Sequence, residues 1–186
     1  MHMRREEALI LLKENLSNIN LQKHCFAVEA IMRALAQKFN GNIEEWGLAG
    51  LLHDIDYEKT KDNPDKHSLV GAEMLKEIGL SDEITEAVKT HNEIHGIKPQ
   101  SLMAKALFVA DAISGLIVAS TLVLPSKEIK ELTVENVLHR FKEKSFARGA
   151  NREIIIQCKE LLDLSLEEFI EIALIAMKKI NQELGL

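Results

Sequence analysis

The chain of 186 residues has few of the residues that break or staple a fold: three prolines, nine glycines and two cysteines. Long stretches therefore run uninterrupted, and Leu, Ala, Glu and Lys fill them with good helix formers. Cys25 and Cys158 stand alone, with no CxxC and no framework spacing, which excludes a disulfide scaffold and predicts a reduced, cytoplasmic protein. Aromatic residues make up only 4% against 46% apolar, so the core must be built from Leu, Ile, Ala and Val. No segment alternates at period two, and there is no internal repeat, low-complexity tract or dividing linker. These absences predict one all-α domain over 1–186, with a core at about 20–125 and C-terminal helices 126–186 packed on it. Basic runs are missing too, and the net charge is −6. With nothing to release counterions from phosphates, the expected partners include no nucleic acid. A small phosphorylated substrate stays open if a metal supplies local positive charge. Met-His-Met-Arg-Arg-Glu-Glu at the N-terminus lacks an apolar signal core and predicts no secretion.

One long apolar run is present. Ala106 to Leu124 could span a bilayer by length, but Asp111 near its middle would cost about 2.5–3.5 kcal/mol on insertion. Amphipathic partners elsewhere predict a buried core helix instead, and no membrane partner. This helix and the C-terminal one could bury against a second copy in a homodimer, or within one chain.

Apolar spacing predicts helices over 4–16, from a cap at Asn20 to about Phe39, and over 43–53. A charged loop with Pro64 follows over 56–66 and is expected to be exposed. Further helices are predicted from His67 to Ile78, Asp82 to about Glu93, and Ser101 to the Pro125 boundary. A short turn over 126–132 leads to helices over 133–147, 151–162 and 166–184, the last opened by the capping box Ser165-Leu-Glu-Glu168.

His53 and Asp54 stand side by side at the end of the apolar, glycine-punctuated stretch Trp46-Gly-Leu-Ala-Gly-Leu-Leu-His-Asp-Ile-Asp-Tyr57. Taken singly, each histidine reads as an ordinary hydrogen-bonded residue. Asp111 is more informative, because a carboxylate on a helix apolar all round must be paired, neutralised or bound to a metal. A salt bridge to Lys105 or an arginine and a metal site are both open. His24, His53, Asp54 and Asp111 together form a mixed N/O set suited to Mn, Fe, Co, Ni, Zn or Mg. His91 and His95, at i and i+4, are expected to share a helix face.

The order His24 … His53-Asp54 … Asp111, with the FVAD context of the last aspartate, resembles the HD superfamily of metal-dependent phosphohydrolases over about residues 21–120. The resemblance implies an HD-type helical bundle, one divalent metal held by those four residues, and hydrolysis through a metal-activated water in which His53 and Asp54 act. His67-Ser-Leu-Val-Gly-Ala72 and His91 resemble the HDIG-type subgroup. That likeness makes His67 and His91 ligands of a second metal, with Asp54 bridging. The chain departs from it at Asp56, where the motif has glycine, and at Asn92, where cyclic-dinucleotide phosphodiesterases have histidine.

Phosphate oxygens need further donors. Arg148 and Arg152, beside Gly149 and the helix-opening Asn151, are candidate substrate contacts, as are His95 and Glu93, with Asp56 and Glu58 as weaker candidates for proton transfer. The substrate expected is a small phosphorylated compound such as a nucleotide. The competing reading is a non-catalytic metal- or nucleotide-binding domain serving as a sensor or interaction module.

Overall fold

The computed structural model describes residues 3–186; Met1 and His2, which begin the stretch read as lacking a signal core, lie outside them. Among the described residues there are helices and no strands. Helix α1 is Arg5–Asn15, α2 Ile19–Lys38 and α3 Ile43–Leu52. Asn18, not Asn20, caps α2: its side chain accepts from the amides of Asn20 and Leu21. Asn18 sits just before the first apolar residue of the helix, where an N-cap belongs.

The segment expected to be an exposed loop folds into α4 (Tyr57–Thr60) and a short 3-10 turn at Pro64–Lys66, with Asp56 and Thr60 buried. Next come α5 (Leu69–Glu77) and α6 (Asp82–Thr90). His67 therefore lies in the turn before α5, and His95 lies beyond α6 in a separate 3-10 turn, Glu93–His95. The expected shared helix face of His91 and His95 does not exist. Asn92 breaks the helix by taking extended backbone and accepting from the Ile94 amide with its side chain.

Helix α7 (Leu102–Leu122) is long and apolar enough to cross a membrane by length and composition. In the bundle it is a central element, packed on α2 and α6, with Leu107, Val109, Ile113 and Leu116 fully buried. The C-terminal part holds α8 (Val134–Lys142), α9 (Arg152–Ile155), α10 (Cys158–Leu162), α11 (Leu166–Lys179) and α12 (Asn181–Leu184). The predicted helices over 151–162 and 166–184 are thus each divided in two. Phe169, Ile170 and Met177 of α11 are buried against α2 and α8, so both helices considered for a homodimer face contribute to the core of one chain.

Alpha-helices α2 and α3 meet at a glycine. A Cβ on Gly50 would lie 2.8 Å from the Cα of Glu29 and 2.9 Å from its nitrogen and from the Val28 carbonyl oxygen. Backbone cannot step aside as a side chain can. Gly50→Ala is expected to cost about 2–3 kcal/mol by overpacking, although alanine is the better helix former. It should also disturb His53, whose ring is anchored on the Gly50 carbonyl. Thermal unfolding with metal analysis checks this; an Ala variant as stable as the parent would refute the close approach.

Candidate metal centre

Six side chains from five segments converge beside the middle of α7. His24 comes from α2, His53 and Asp54 from the turn ending α3, His67 from the turn before α5, His91 from the end of α6 and Asp111 from the middle of α7. His53, Asp54 and His91 are buried, while the side chains of His24 and Asp111 are about 30% exposed, at 27% and 31%. The cluster is closed below and open on one side, the arrangement a reacting site requires.

Each imidazole is held by Nδ1. His53 donates from Nδ1 to the Gly50 carbonyl at 2.9 Å, and His91 to the Val88 carbonyl at 2.7 Å. The Ser114 hydroxyl donates to the Asp111 carbonyl and can therefore accept from His24 Nδ1, at 3.2 Å. His67 Nδ1 donates to Asp56 Oδ1 at 3.0 Å. All four Nε2 atoms are thereby turned inward. His24 Nε2 lies 3.1 Å from His53 Nε2 and 3.0 Å from Asp111 Oδ1. Asp54 Oδ1 lies 3.2 Å from His67 Nε2, 3.4 Å from His91 Nε2 and 3.5 Å from His53 Nε2, and Asp54 Oδ2 lies 3.7 Å from His24 Nε2.

These separations fit a metal. Ligands about 2.1 Å from a common ion stand roughly 3.0–3.4 Å apart in octahedral or tetrahedral geometry. Two groups, sharing His53, bring their ligand atoms within 4.8 Å of one another: His24, His53 and Asp111, and His53, Asp54 and His91. The two oxygens of Asp54 have different nearest imidazoles, Oδ1 those of His53, His67 and His91 and Oδ2 that of His24. Two Nε2 lone pairs at 3.1 Å also demand a cation between them, either a proton or a metal ion.

The charges say the same. Burial opposes charge on His24, but the hydrogen bond and charge of Asp111, with Asp54, raise its pKa to about 9. Burial likewise opposes charge on His67, and Asp54 and Asp56 outweigh it, raising the pKa to about 10. For His53 burial wins and the pKa falls to about 4, leaving the ring neutral. Burial would raise the carboxyls of Asp54 and Asp111, but neighbouring imidazoles hold both below the usual carboxylate range. The protonated forms of His24 and His67 thus stabilise the metal-free fold below their ordinary value of 6.5, and that stabilisation is lost as pH rises through about 9 and 10. A bound cation displaces those protons. The gain in melting temperature on adding Mn is expected to grow from pH 6.5 towards pH 9; a gain that shrinks over that range would contradict the arrangement.

By sequence Asp56 departs from the glycine of HDIG and is a weaker candidate for proton transfer. It is instead fully buried and accepts from His67 Nδ1, from the Ser68 amide at 2.9 Å and from the Gly71 amide at 2.9 Å. A carboxylate behind a ligand imidazole fixes its tautomer and aim. The only trace in the sequence is its departure from the motif.

The candidate substrate contacts divide. His95 donates from Nε2 to the His67 carbonyl at 2.7 Å, which buttresses the His67 turn from behind. Arg152 is corrected to a structural role. All three of its guanidinium nitrogens donate to main-chain carbonyls, of Phe141, Ala147, Ala150, Arg140, Glu143 and Phe146, and so hold the 140–151 segment together. Arg148 is exposed on that segment, between Ala147 and Gly149, which line the opening. Glu93 lies at the rim, bonded to Asn151 Nδ2 at 3.2 Å. Glu58 lies elsewhere, capping the α1–α2 turn through Ser17 and Asn18.

The family model for the HD domain matches residues 21–116. Ribonuclease Y of Lawsonia intracellularis is 30% identical over 138 residues, 73% of this chain and 26% of that protein. Ribonuclease Y of Geobacter sulfurreducens is 29% identical over 170 residues, 89% of this chain and 32% of the relative. That of Thermoanaerobacter pseudethanolicus is 30% identical over 168 residues, 88% and 32%. The chain spans between a quarter and a third of the length of these curated relatives. No solved structure matches it significantly. The expectation of no nucleic-acid partner is overturned by these relatives, which are ribonucleases by name. Net charge averages the whole surface, whereas phosphate binding at a metal centre depends on local charge.

Proposed function

Because the chain belongs to the HD-domain superfamily of metal-dependent phosphohydrolases, we propose that it hydrolyses a phosphoester bond of a nucleotide unit, free or within an RNA strand. One observation carries the reading: four imidazoles anchored at Nδ1 turn their Nε2 atoms onto Asp54 and Asp111 at an opening in the surface. Divalent ions held there would activate a water and offset charge on the transferring phosphoryl group. The protein's own part is positional. His24 and Asp111 border the opening, so phosphate reaches the centre from that side. Asp54 lies beside His24, His53, His67 and His91 and balances their charge. Glu93 at the rim is placed to exchange a proton with solvent or the leaving group, and Arg148 lies on the segment that flanks the entrance.

Metal analysis of the purified protein, followed by a phosphoester panel with Mn, Co or Ni, tests the proposal. The panel contains nucleoside monophosphates, short single-stranded RNA and bis(4-nitrophenyl) phosphate. Bound metal and metal-dependent release of product are expected. Protein with no bound transition metal and no turnover on any member would sink it. Nucleotide binding without turnover would favour the sensor reading instead.

A further inference from the structure

A crevice leads from the metal centre along the exposed face of α7. Its first part, about 310 Å³, is bordered by His24, Asp111, Glu93 and Asn151. Its second, about 470 Å³, is walled by Val118, Ala119, Leu122 and Leu184, with Asn20 and Lys23 at the mouth. His24 and Gly115 line both parts, so the two adjoin at that residue pair. Each is within the size range of small-ligand sites, roughly 300–1,000 Å³.

Gly115 marks the passage. It lies inside α7, where glycine is less favourable than alanine. Gly50 and Gly71 have close neighbours that explain them, but a Cβ on Gly115 would meet nothing within 4 Å. Packing gives no reason for a glycine there. What its missing side chain preserves is the open floor between the two parts of the crevice. Along the helix axis, Gly115 stands about 6 Å from Asp111 and Leu122 about 16 Å, room for a phosphate and the one nucleoside that bears it.

We infer that this crevice is a nucleoside subsite: the nucleoside carrying the scissile phosphate crosses Gly115, and its base rests on Val118, Ala119 and Leu122. This rests on the hydrolase reading above. The apolar wall suits the face of a heterocycle. The Asn20 amide can both donate to and accept from a base edge, and the Lys23 ammonium can pair with a further phosphate. The same chemistry is offered by a free nucleotide and by the terminal nucleotide of an RNA strand.

The test measures binding of the phosphonate analogue of AMP and of phosphorothioate-linked pApA, both resistant to turnover, to Mn-loaded protein by calorimetry. Gly115→Leu is expected to weaken both by at least about tenfold with metal content unchanged. Gly115→Ala is expected to raise the melting temperature by about 2 °C while weakening binding less. Should the leucine variant fold poorly, Leu122→Glu on the exposed far wall should weaken binding to a similar degree. Tighter binding of pApA, whose second phosphate can reach Lys23, that Lys23→Ala abolishes identifies a strand end; equal binding identifies a free nucleotide. Affinities unmoved by Gly115→Leu and Leu122→Glu overturn the subsite. Parent protein that hydrolyses bis(4-nitrophenyl) phosphate, with affinities unmoved in the variants, sinks the subsite alone. Binding that these variants weaken, with no such hydrolysis, sinks the hydrolase reading and leaves the subsite standing.

Discussion

Replacing Asp54 by alanine is expected to remove bound metal and lower turnover at least about 10³-fold, or ~4 kcal/mol on the barrier. Among the described residues, Asp54 is the one carboxylate that lies beside all four inward-turned imidazoles. Its Oδ1 lies within 3.5 Å of His53, His67 and His91, and its Oδ2 lies 3.7 Å from His24. Without it, the Nε2 atoms of His53, His67 and His91 lose the carboxylate they share. Breaking a buried charged set by deleting one member costs about 3–5 kcal/mol, so the metal-free variant should also melt lower. Asp54→Asn separates charge from shape: it keeps the volume and one acceptor but loses the negative charge, and should bind metal almost as poorly. Elemental analysis and thermal melting are the measurements. A variant with unchanged metal content would refute Asp54 as a ligand.

Asp56→Ala is expected to be nearly as damaging, although Asp56 points away from the opening. Its carboxylate accepts from three donors, His67 Nδ1 and the amides of Ser68 and Gly71. Each orphaned buried donor costs about 1–3 kcal/mol, and a total of about 3–5 kcal/mol is expected from losing a buried charged partner. With its Nδ1 partner gone, His67 is free to turn, and losing such a support typically lowers metal affinity about 10–100-fold. Asp56→Asn retains one acceptor oxygen and should recover part of the stability. The decisive comparison is metal titration of both variants beside their melting curves. Parent-like stability and affinity in Asp56→Ala would mean that the Ser68–Gly71 turn holds His67 unaided.

Asp56 also shows where reading the sequence stopped. It stands in a charged, proline-containing segment, and charge pattern alone assigns such a segment to solvent. Most of the segment is exposed, 61–66 throughout, but Asp56 and Thr60 turn inward, because Tyr57–Thr60 adds a helical turn and the Ser68 and Gly71 amides need an acceptor. The pairing of His91 with His95 failed for a related reason. Periodicity carried the helix past Thr90, but the Asn92 side chain ended it, and a helix face does not continue through a break. Arg152 looked like a phosphate grip by residue type, and six carbonyls of a folded-back segment took its donors.

What the sequence by itself determined was local or periodic. The shortage of breakers and the 3.6-residue spacing dictated an all-α chain, the apolar surround of Asp111 called for pairing, neutralisation or a metal, and the order of His24, His53-Asp54 and Asp111 pointed to the HD superfamily. Tertiary structure alone decided which donors stand within 4 Å of one another, that Asp56 supports His67, and that Gly115 leaves a floor open beside the centre. Those facts depend on the approach of segments distant in the chain. Helix periodicity sets which face a side chain takes, and only the packing of α2, α3, α6 and α7 sets what that face meets.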